Sequence, residues 1–155
     1  AAAVVVGRAE VGPEVVGSYH RLFPDTYDIM GWDFIDSGMK VRFSRDIPHF
    51  VKTHLPGVLE EACTSWSITK EEITSFITHP GGAKVLEAFA EVIGGNQRTL
   101  AASHEILRLH GNMSSASILF VLKKMVENHE LQSGYGLMSA LGPGFSSDQL
   151  LLHNP

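Results

Sequence analysis

Residues 114–126, with the sequence SSASILFVLKKMV, constrain the fold more than any other stretch of this chain. Placed on a helix of about 3.6 residues per turn, their apolar side chains lie on nearly every side and not on one stripe. A helix of that kind is typical of the interior of a structure, because a surface helix needs a polar face toward water. We therefore predict a helix over 114–126 that is buried at the centre of the fold.

Three further helices are predicted on the N-terminal side of this central segment. Apolar residues recur every three or four positions between 47 and 66, which predicts an amphipathic helix that starts near Pro48. Pro56 falls inside this pattern and should kink the helix or split it in two, because proline lacks a backbone hydrogen-bond donor. The other two helices are predicted over Ala83–Ile93 and 99–109 by the same kind of spacing.

Short strands are predicted at both ends of the chain and between the helices. Residues 4–6 form a β-branched run that ends at Gly7, which favours a fully buried strand. The predicted strands are residues 4–6, 15–23, 39–43, 73–78, 136–141 and 149–152, with a further one within 27–35. Because strands and helices occur in mixed order, we predict an α/β fold with a mixed sheet flanked by helices.

The composition argues against several classes of protein. Hydrophobic residues make up 44% and charged residues 19% of the chain of 155 residues, as in ordinary globular domains. A net charge of −5 with no cluster of Lys or Arg argues against nucleic-acid binding. No apolar run reaches the roughly 18–20 residues that cross a bilayer, so no membrane span is predicted. The single cysteine predicts a reducing, cytoplasmic compartment.

The N-terminus begins directly on the first predicted strand. It has no Met and lacks the charged region of a signal peptide. Because buried strands seldom open a natural chain, we expect Ala1 to lie inside a larger protein, in which residues 1–155 form one domain.

His79 lies where a predicted strand ends and a helix is about to begin. Pro80 suits the start of a helix, and Gly81 and Gly82 allow a ligand or another backbone to come close. Backbone N–H groups and the positive end of a helix dipole favour an anion at such a position. The alternative interpretation is an ordinary histidine in a strand-to-helix turn, and the local sequence leaves it open.

Asn112 has a similar position, just before the predicted central helix. Asn and Ser are preferred residues at helix N-caps, so a structural cap by Asn112 or Ser114 is the simplest interpretation. A helix N-terminus also favours developing negative charge, which gives Asn112 a possible functional role. Only its combination with His79 favours the functional interpretation over the cap.

Together these segments resemble a known family. HPGGAKVL at residues 79–86, GNMSSA at 111–116 and LGPGF at 141–145 resemble the C-terminal half of type III polyketide synthases, the chalcone and stilbene synthase family. The order of the motifs fits, and so does the interval of 33 residues between His79 and Asn112 (112 − 79). The resemblance implies that the chain is the C-terminal half of a thiolase-like fold.

The resemblance also implies a Cys-His-Asn site that makes polyketides from coenzyme A thioesters. The cysteine takes an acyl group from an acyl-coenzyme A starter, while His79 and Asn112 hold the thioester oxygen of malonyl-coenzyme A during its decarboxylation. The resulting enolate attacks the acyl-enzyme in a Claisen condensation. The family implies no metal and no cofactor beyond these thioesters, and it implies a homodimer of the full-length chain.

Further substrate contacts are implied by the same resemblance. Gly81 and Gly82 match the stretch along which coenzyme A reaches the site, and Ser114 matches a serine close to the catalytic asparagine. The turn Gly142-Pro143-Gly144 matches the loop that shapes the cavity where the product cyclises. Val41 stands where plant members carry a phenylalanine at the active-site entrance. The stretch Met30-Gly31-Trp32-Asp33 also differs from the plant pattern and resembles microbial members.

Cys63 is not the nucleophile that the resemblance implies. It lies on the apolar stripe of the predicted helix, between Leu59 and Trp66, and a thiol buried on a helix face is inert. The family's cysteine lies upstream of the segment that matches Ala1, in an N-terminal half of similar length. We therefore expect residues 1–155 to be inactive on their own.

Two other interpretations remain. A β-ketoacyl carrier-protein synthase III-like condensing enzyme shares the fold and the Cys-His-Asn set, although its histidine is usually followed by Gln-Ala-Asn and not by Pro-Gly-Gly. A non-catalytic thiolase-fold domain would keep the fold without the upstream cysteine. Hydroxymethylglutaryl-coenzyme A synthase and thiolase use different catalytic sets and fit less well.

Overall fold

Six strands and four α-helices form over residues 1–8, 12–96 and 98–155, which a computed structural model describes. A short 3₁₀ turn, Lys70–Glu72, precedes the fourth strand. The elements in chain order are β1 (Glu14–Leu22), β2 (Met30–Ile35), β3 (Gly38–Phe43), α1 (Ile47–Trp66), β4 (Ile73–Thr78), α2 (Ala83–Ile93), α3 (Ala101–His110), α4 (Ala116–Glu127), β5 (Gly134–Gly142) and β6 (Ser146–Asn154).

The main sheet has the strand order β1-β6-β5-β4. β4 runs parallel to β5, whereas the β5–β6 and β6–β1 pairs are antiparallel. A parallel pair needs a long crossover connection, and here it contains α2, α3 and α4. The sheet is therefore mixed, which confirms the predicted α/β class.

The two faces of the sheet carry separate hydrophobic cores. Because side chains alternate along a strand, Leu137 of β5 joins the core formed with α1 and α2, whereas its neighbour Met138 joins the core formed with α3 and α4. Ile77 of β4 packs in the second core with Val121 of α4, and both are fully buried. The end of β4 thus lies between α2, which follows it, and the α3–α4 pair.

The predicted central helix is present as α4, and one of its faces is buried. Ser117, Ile118, Val121 and Met125 are buried, and Val126 on the opposite side is 41% exposed. The helix begins at Ala116 and not at residue 114, because Ser114 has a positive φ of 57° that no α-helix contains. Within the described residues, the sheet and α3 cover only one side of this all-round apolar helix.

Helix α1 continues through Pro56, so of the two predicted outcomes, a kink or a split, the split does not occur. Pro56 is exposed, and its neighbours Leu55, Val58 and Leu59 are buried in the core shared with α2. Packing on the buried face holds the helix together, although proline removes one backbone hydrogen bond.

The predicted strand over residues 4–6 is absent, and that prediction is wrong. Val5 is 98% exposed, and Val4 and Val6 are also exposed. A β-branched run becomes a strand only where another strand pairs with it, and neither sheet of the described residues includes this segment. Among the described residues, no helix is both long and apolar enough to cross a membrane.

Candidate active site

His79 directly follows the last residue of β4, in the turn that leads to α2. Its backbone N–H donates to the carbonyl of Ser139 on β5 over 2.9 Å, which continues the sheet by one residue. The N–H of Gly81 donates back to the carbonyl of His79, also over 2.9 Å, and Gly82 is the N-cap of α2. The structure therefore places His79 at the predicted strand-to-helix position.

Burial lowers the pKa of the His79 imidazole, because the charged form is less well solvated there than in water. The neutral ring is thus favoured near neutral pH. A neutral imidazole carries one N–H donor and one acceptor nitrogen. His79 can therefore donate a hydrogen bond to a developing oxyanion without carrying a full positive charge.

The lowered pKa of His79 predicts a loss of stability in mild acid. The unfolded chain binds this proton at a pKa of about 6.5, above the folded value, so protonation favours the unfolded state. We expect the free energy of unfolding, measured by urea titration, to fall as the pH drops from about 6.5 toward the folded pKa. His79→Gln should reduce this pH dependence, whereas His49→Gln, at an exposed position, should leave it in place. An unchanged slope in His79→Gln would contradict the prediction.

Asn112 is joined directly to the His79 turn by its side chain. Its Nδ2 donates to the carbonyl of Gly81 over 3.1 Å, and its Oδ1 accepts the N–H of Ser114 over 2.9 Å. Because the N–H of Ser114 needs an acceptor, the second bond assigns the oxygen of the amide to the Ser114 side and its nitrogen to the Gly81 side. The two predicted catalytic segments, although 33 residues apart in sequence, therefore meet in the fold.

The capping interpretation of Asn112 and Ser114 does not hold. The N-cap of α4 is Ser115, and no side-chain hydrogen bond caps the helix there. Asn112 forms a local turn with Ser114 instead, in which its amide oxygen accepts the N–H of Ser114. Both side chains are exposed and open to a ligand.

A cleft of about 390 Å³ lies beside Gly81, at the start of α2. Two cationic side chains, Arg45 and Lys84, contribute to its wall. The complete lining is Phe43, Ser44, Arg45, Ile47, Pro48, Gly81, Lys84 and Val85. The volume is in the range of small-molecule sites, and the charge favours an anionic guest. The sequence pointed to Gly81 but not to Arg45, because Arg45 precedes α1, far from the motif in the chain.

Val41 lies on the separate two-stranded sheet formed by β2 and β3. It pairs with Trp32, and the alternating positions of this hairpin give it one apolar face. The strand predicted over residues 39–43 is present as β3, and Val41 on it is 41% exposed. Phe43, two positions along the same face, lines the cleft next to Gly81, whereas Val41 lies outside that lining.

The turn Gly142-Pro143-Gly144 joins β5 and β6, as predicted. The N–H of Gly144 donates to the carbonyl of Met30, the first residue of β2, over 3.3 Å. Gly144 has a φ of 126°, a conformation that favours glycine. The turn is thus tied to the β2–β3 hairpin and not directly to His79 or Asn112.

Cys63 is buried on α1 and belongs to the core shared with α2. Burial raises the pKa of its thiol, and the negative charge of Glu71 adds to the effect. A thiolate is therefore disfavoured at this position.

Comparisons with known proteins give one consistent result. The family model for chalcone and stilbene synthases, C-terminal domain, matches residues 14–154. The chain is 40% identical over 147 residues to the "Putative chalcone synthase" of Bacillus subtilis (strain 168), covering 94% of the chain and 40% of the relative. It is 35% identical over 159 residues to the 1,3,6,8-tetrahydroxynaphthalene synthase of Streptomyces peucetius subsp. caesius, covering 98% and 42%.

Solved structures show the same fold. The crystal structure of 1,3,6,8-tetrahydroxynaphthalene synthase from Streptomyces coelicolor A3(2) matches with a TM-score of 0.87 at 22% identity, covering 96% of this chain and 43% of that one. The C-terminal type III polyketide synthase domain of Steely1 from Dictyostelium matches with a TM-score of 0.77 at 27% identity, covering 92% and 40%. The chain thus spans about two fifths of the length of the proteins that it matches.

Proposed function

The chain belongs to the chalcone and stilbene synthase family, whose C-terminal domain it matches over residues 14–154, and from this we propose that it supplies the catalytic histidine and asparagine of a type III polyketide synthase. The proposed activity is an acyl transfer in which malonyl-coenzyme A is decarboxylated and condensed onto an acyl-coenzyme A starter. The observation that carries the proposal is the hydrogen bond from Asn112 Nδ2 to the carbonyl of Gly81, because it brings the two motif segments into one site.

His79 and Asn112 stabilise the enolate in the proposed reaction. When the bond between the carboxylate and the α-carbon of malonyl-coenzyme A breaks, carbon dioxide leaves and the electron pair spreads onto the thioester oxygen. An N–H of the neutral His79 ring and the Nδ2 of Asn112, which has a second hydrogen beyond the one that Gly81 accepts, donate to that oxygen. Fixed donors of this kind contribute about 2.7–4 kcal/mol each to transition-state stabilisation.

The enolate carbon then attacks the acyl carbonyl of a thioester held on a cysteine. A carbon–carbon bond forms, the carbon–sulfur bond breaks, and the cysteine leaves as a thiolate that can accept the extended chain. We place this cysteine outside residues 1–155, because Cys63 is buried with a raised thiol pKa. The rest of the synthase is thus the proposed partner, in a cytoplasmic homodimer.

The cleft beside Gly81 is the proposed binding site for the coenzyme A thioester. Coenzyme A carries phosphates, and Arg45 and Lys84 supply positive charge at the wall of the cleft. Gly82 and Ser114 adjoin the same site through the turn before α2 and the turn before α4. Val41 and the turn Gly142-Pro143-Gly144 contact the growing chain in this proposal, on the side of the β2–β3 hairpin.

The choice of acyl carrier tests the proposed function. The complete synthase that carries these residues should form polyketide product from malonyl-coenzyme A and a panel of acyl-coenzyme A starters, detected by mass spectrometry. It should be inactive when malonyl-acyl carrier protein is the only extender. Condensation that requires the carrier protein would instead identify a β-ketoacyl carrier-protein synthase, and no condensation with either extender would identify a non-catalytic domain.

A further inference from the structure

Ser103 of α3 holds the peptide unit that immediately precedes His79. Its side chain is fully buried, and its Oγ donates to the carbonyl of Thr78 over 2.7 Å. That carbonyl belongs to the same planar peptide unit as the N–H of His79, which donates to Ser139 over 2.9 Å. Both ends of the peptide unit are therefore fixed, one to a helix and the other to the neighbouring strand.

Ser117 of α4 does the same for the peptide unit that follows Asn112. Its side chain is also fully buried, and its Oγ accepts the N–H of Met113 over 2.7 Å. That N–H shares a planar peptide unit with the carbonyl of Asn112. The orientation of the Asn112 backbone, from which its amide reaches Gly81, is thus held from inside α4.

We propose that Ser103 and Ser117 are positioning residues, which set the directions in which His79 and Asn112 point. This inference rests on the proposed function. A buried hydroxyl without a partner is costly, so each serine remains bonded to its peptide group as long as the helix keeps its place. Since α3 and α4 pack against each other and against β4, one rigid unit orients both oxyanion donors.

Ser75 provides a matched control within the same strand. It is a buried serine whose Oγ accepts a backbone N–H, that of Gln132, over 2.9 Å. The bond is of the same kind as that of Ser117, but Ser75 lies near the beginning of β4, whereas His79 follows its end. Removal of this hydroxyl should alter stability without altering the direction of either catalytic side chain.

The test compares Ser103→Ala, Ser117→Ala and Ser75→Ala in the complete synthase. We expect the first two to lower kcat by about 10- to 100-fold with KM changed less than about threefold, because a misplaced catalytic group slows the chemical step. Ser75→Ala should keep kcat within about twofold of the wild type, and thermal denaturation should show a similar loss of Tm in all three variants. Equal kcat values for the three variants would overturn the inference.

Double variants then show through which residue each serine acts. Ser117→Ala added to Asn112→Ala should lower residual malonyl-coenzyme A decarboxylation no further, because its effect passes through the missing amide. Ser103→Ala added to His79→Ala should behave in the same way. A further tenfold fall in either double variant would overturn the positioning role. Full activity in His79→Ala and Asn112→Ala would instead refute the proposed function itself.

Discussion

Replacing His79 with alanine in the complete synthase should lower kcat for polyketide formation by about 10²–10³-fold, the usual effect of removing one oxyanion donor. The alanine side chain has no N–H to offer the enolate oxygen. Asn112→Ala should have an effect of the same order. The measurement is steady-state formation of product and of carbon dioxide from malonyl-coenzyme A.

His49→Ala is the matched control, because it removes an exposed histidine from α1. It should keep the wild-type rate. Decarboxylation in His79→Ala at the wild-type rate would show that His79 does not stabilise the enolate. The assignment of this histidine to the site would then be wrong, whatever the family match.

Residues 1–155 on their own should form no polyketide from malonyl-coenzyme A and any acyl-coenzyme A starter. The chain contains one cysteine, Cys63, and its burial and raised thiol pKa leave no thiolate to hold the growing product. Co-expression with the remaining part of the synthase should restore product formation. The readout is product mass in extracts and with the purified proteins.

Cys63→Ala tests whether any observed activity depends on Cys63 or on a cysteine outside residues 1–155. In the restored synthase this variant should lose at most some stability, because it removes a sulfur from a packed core without removing a nucleophile. Product formed by residues 1–155 alone, and abolished by Cys63→Ala or by alkylation, would mean that Cys63 is the nucleophile after all.

Elements bounded by strong local signals could be predicted from the sequence with the correct ends. β4 and α2 have the predicted bounds, Ile73–Thr78 and Ala83–Ile93. Pro80 and the two glycines that follow it separate the end of β4 from the start of α2. Gly94, in the left-handed conformation, ends α2. The segment 4–6 has an equally clear pattern and forms no strand, since a strand also needs a partner that local sequence does not specify.

The sequence by itself determined that His79 follows a strand and that Asn112 precedes a helix, because these statements concern neighbours along the chain. Only the tertiary structure decided that Asn112 reaches the carbonyl of Gly81, 31 residues away, since this bond depends on how α2 and α3 return the chain to the end of β4. The same holds for Arg45, which joins Lys84 in one cleft. Contacts between distant segments follow from how helices pack on a sheet, and no local pattern encodes that packing.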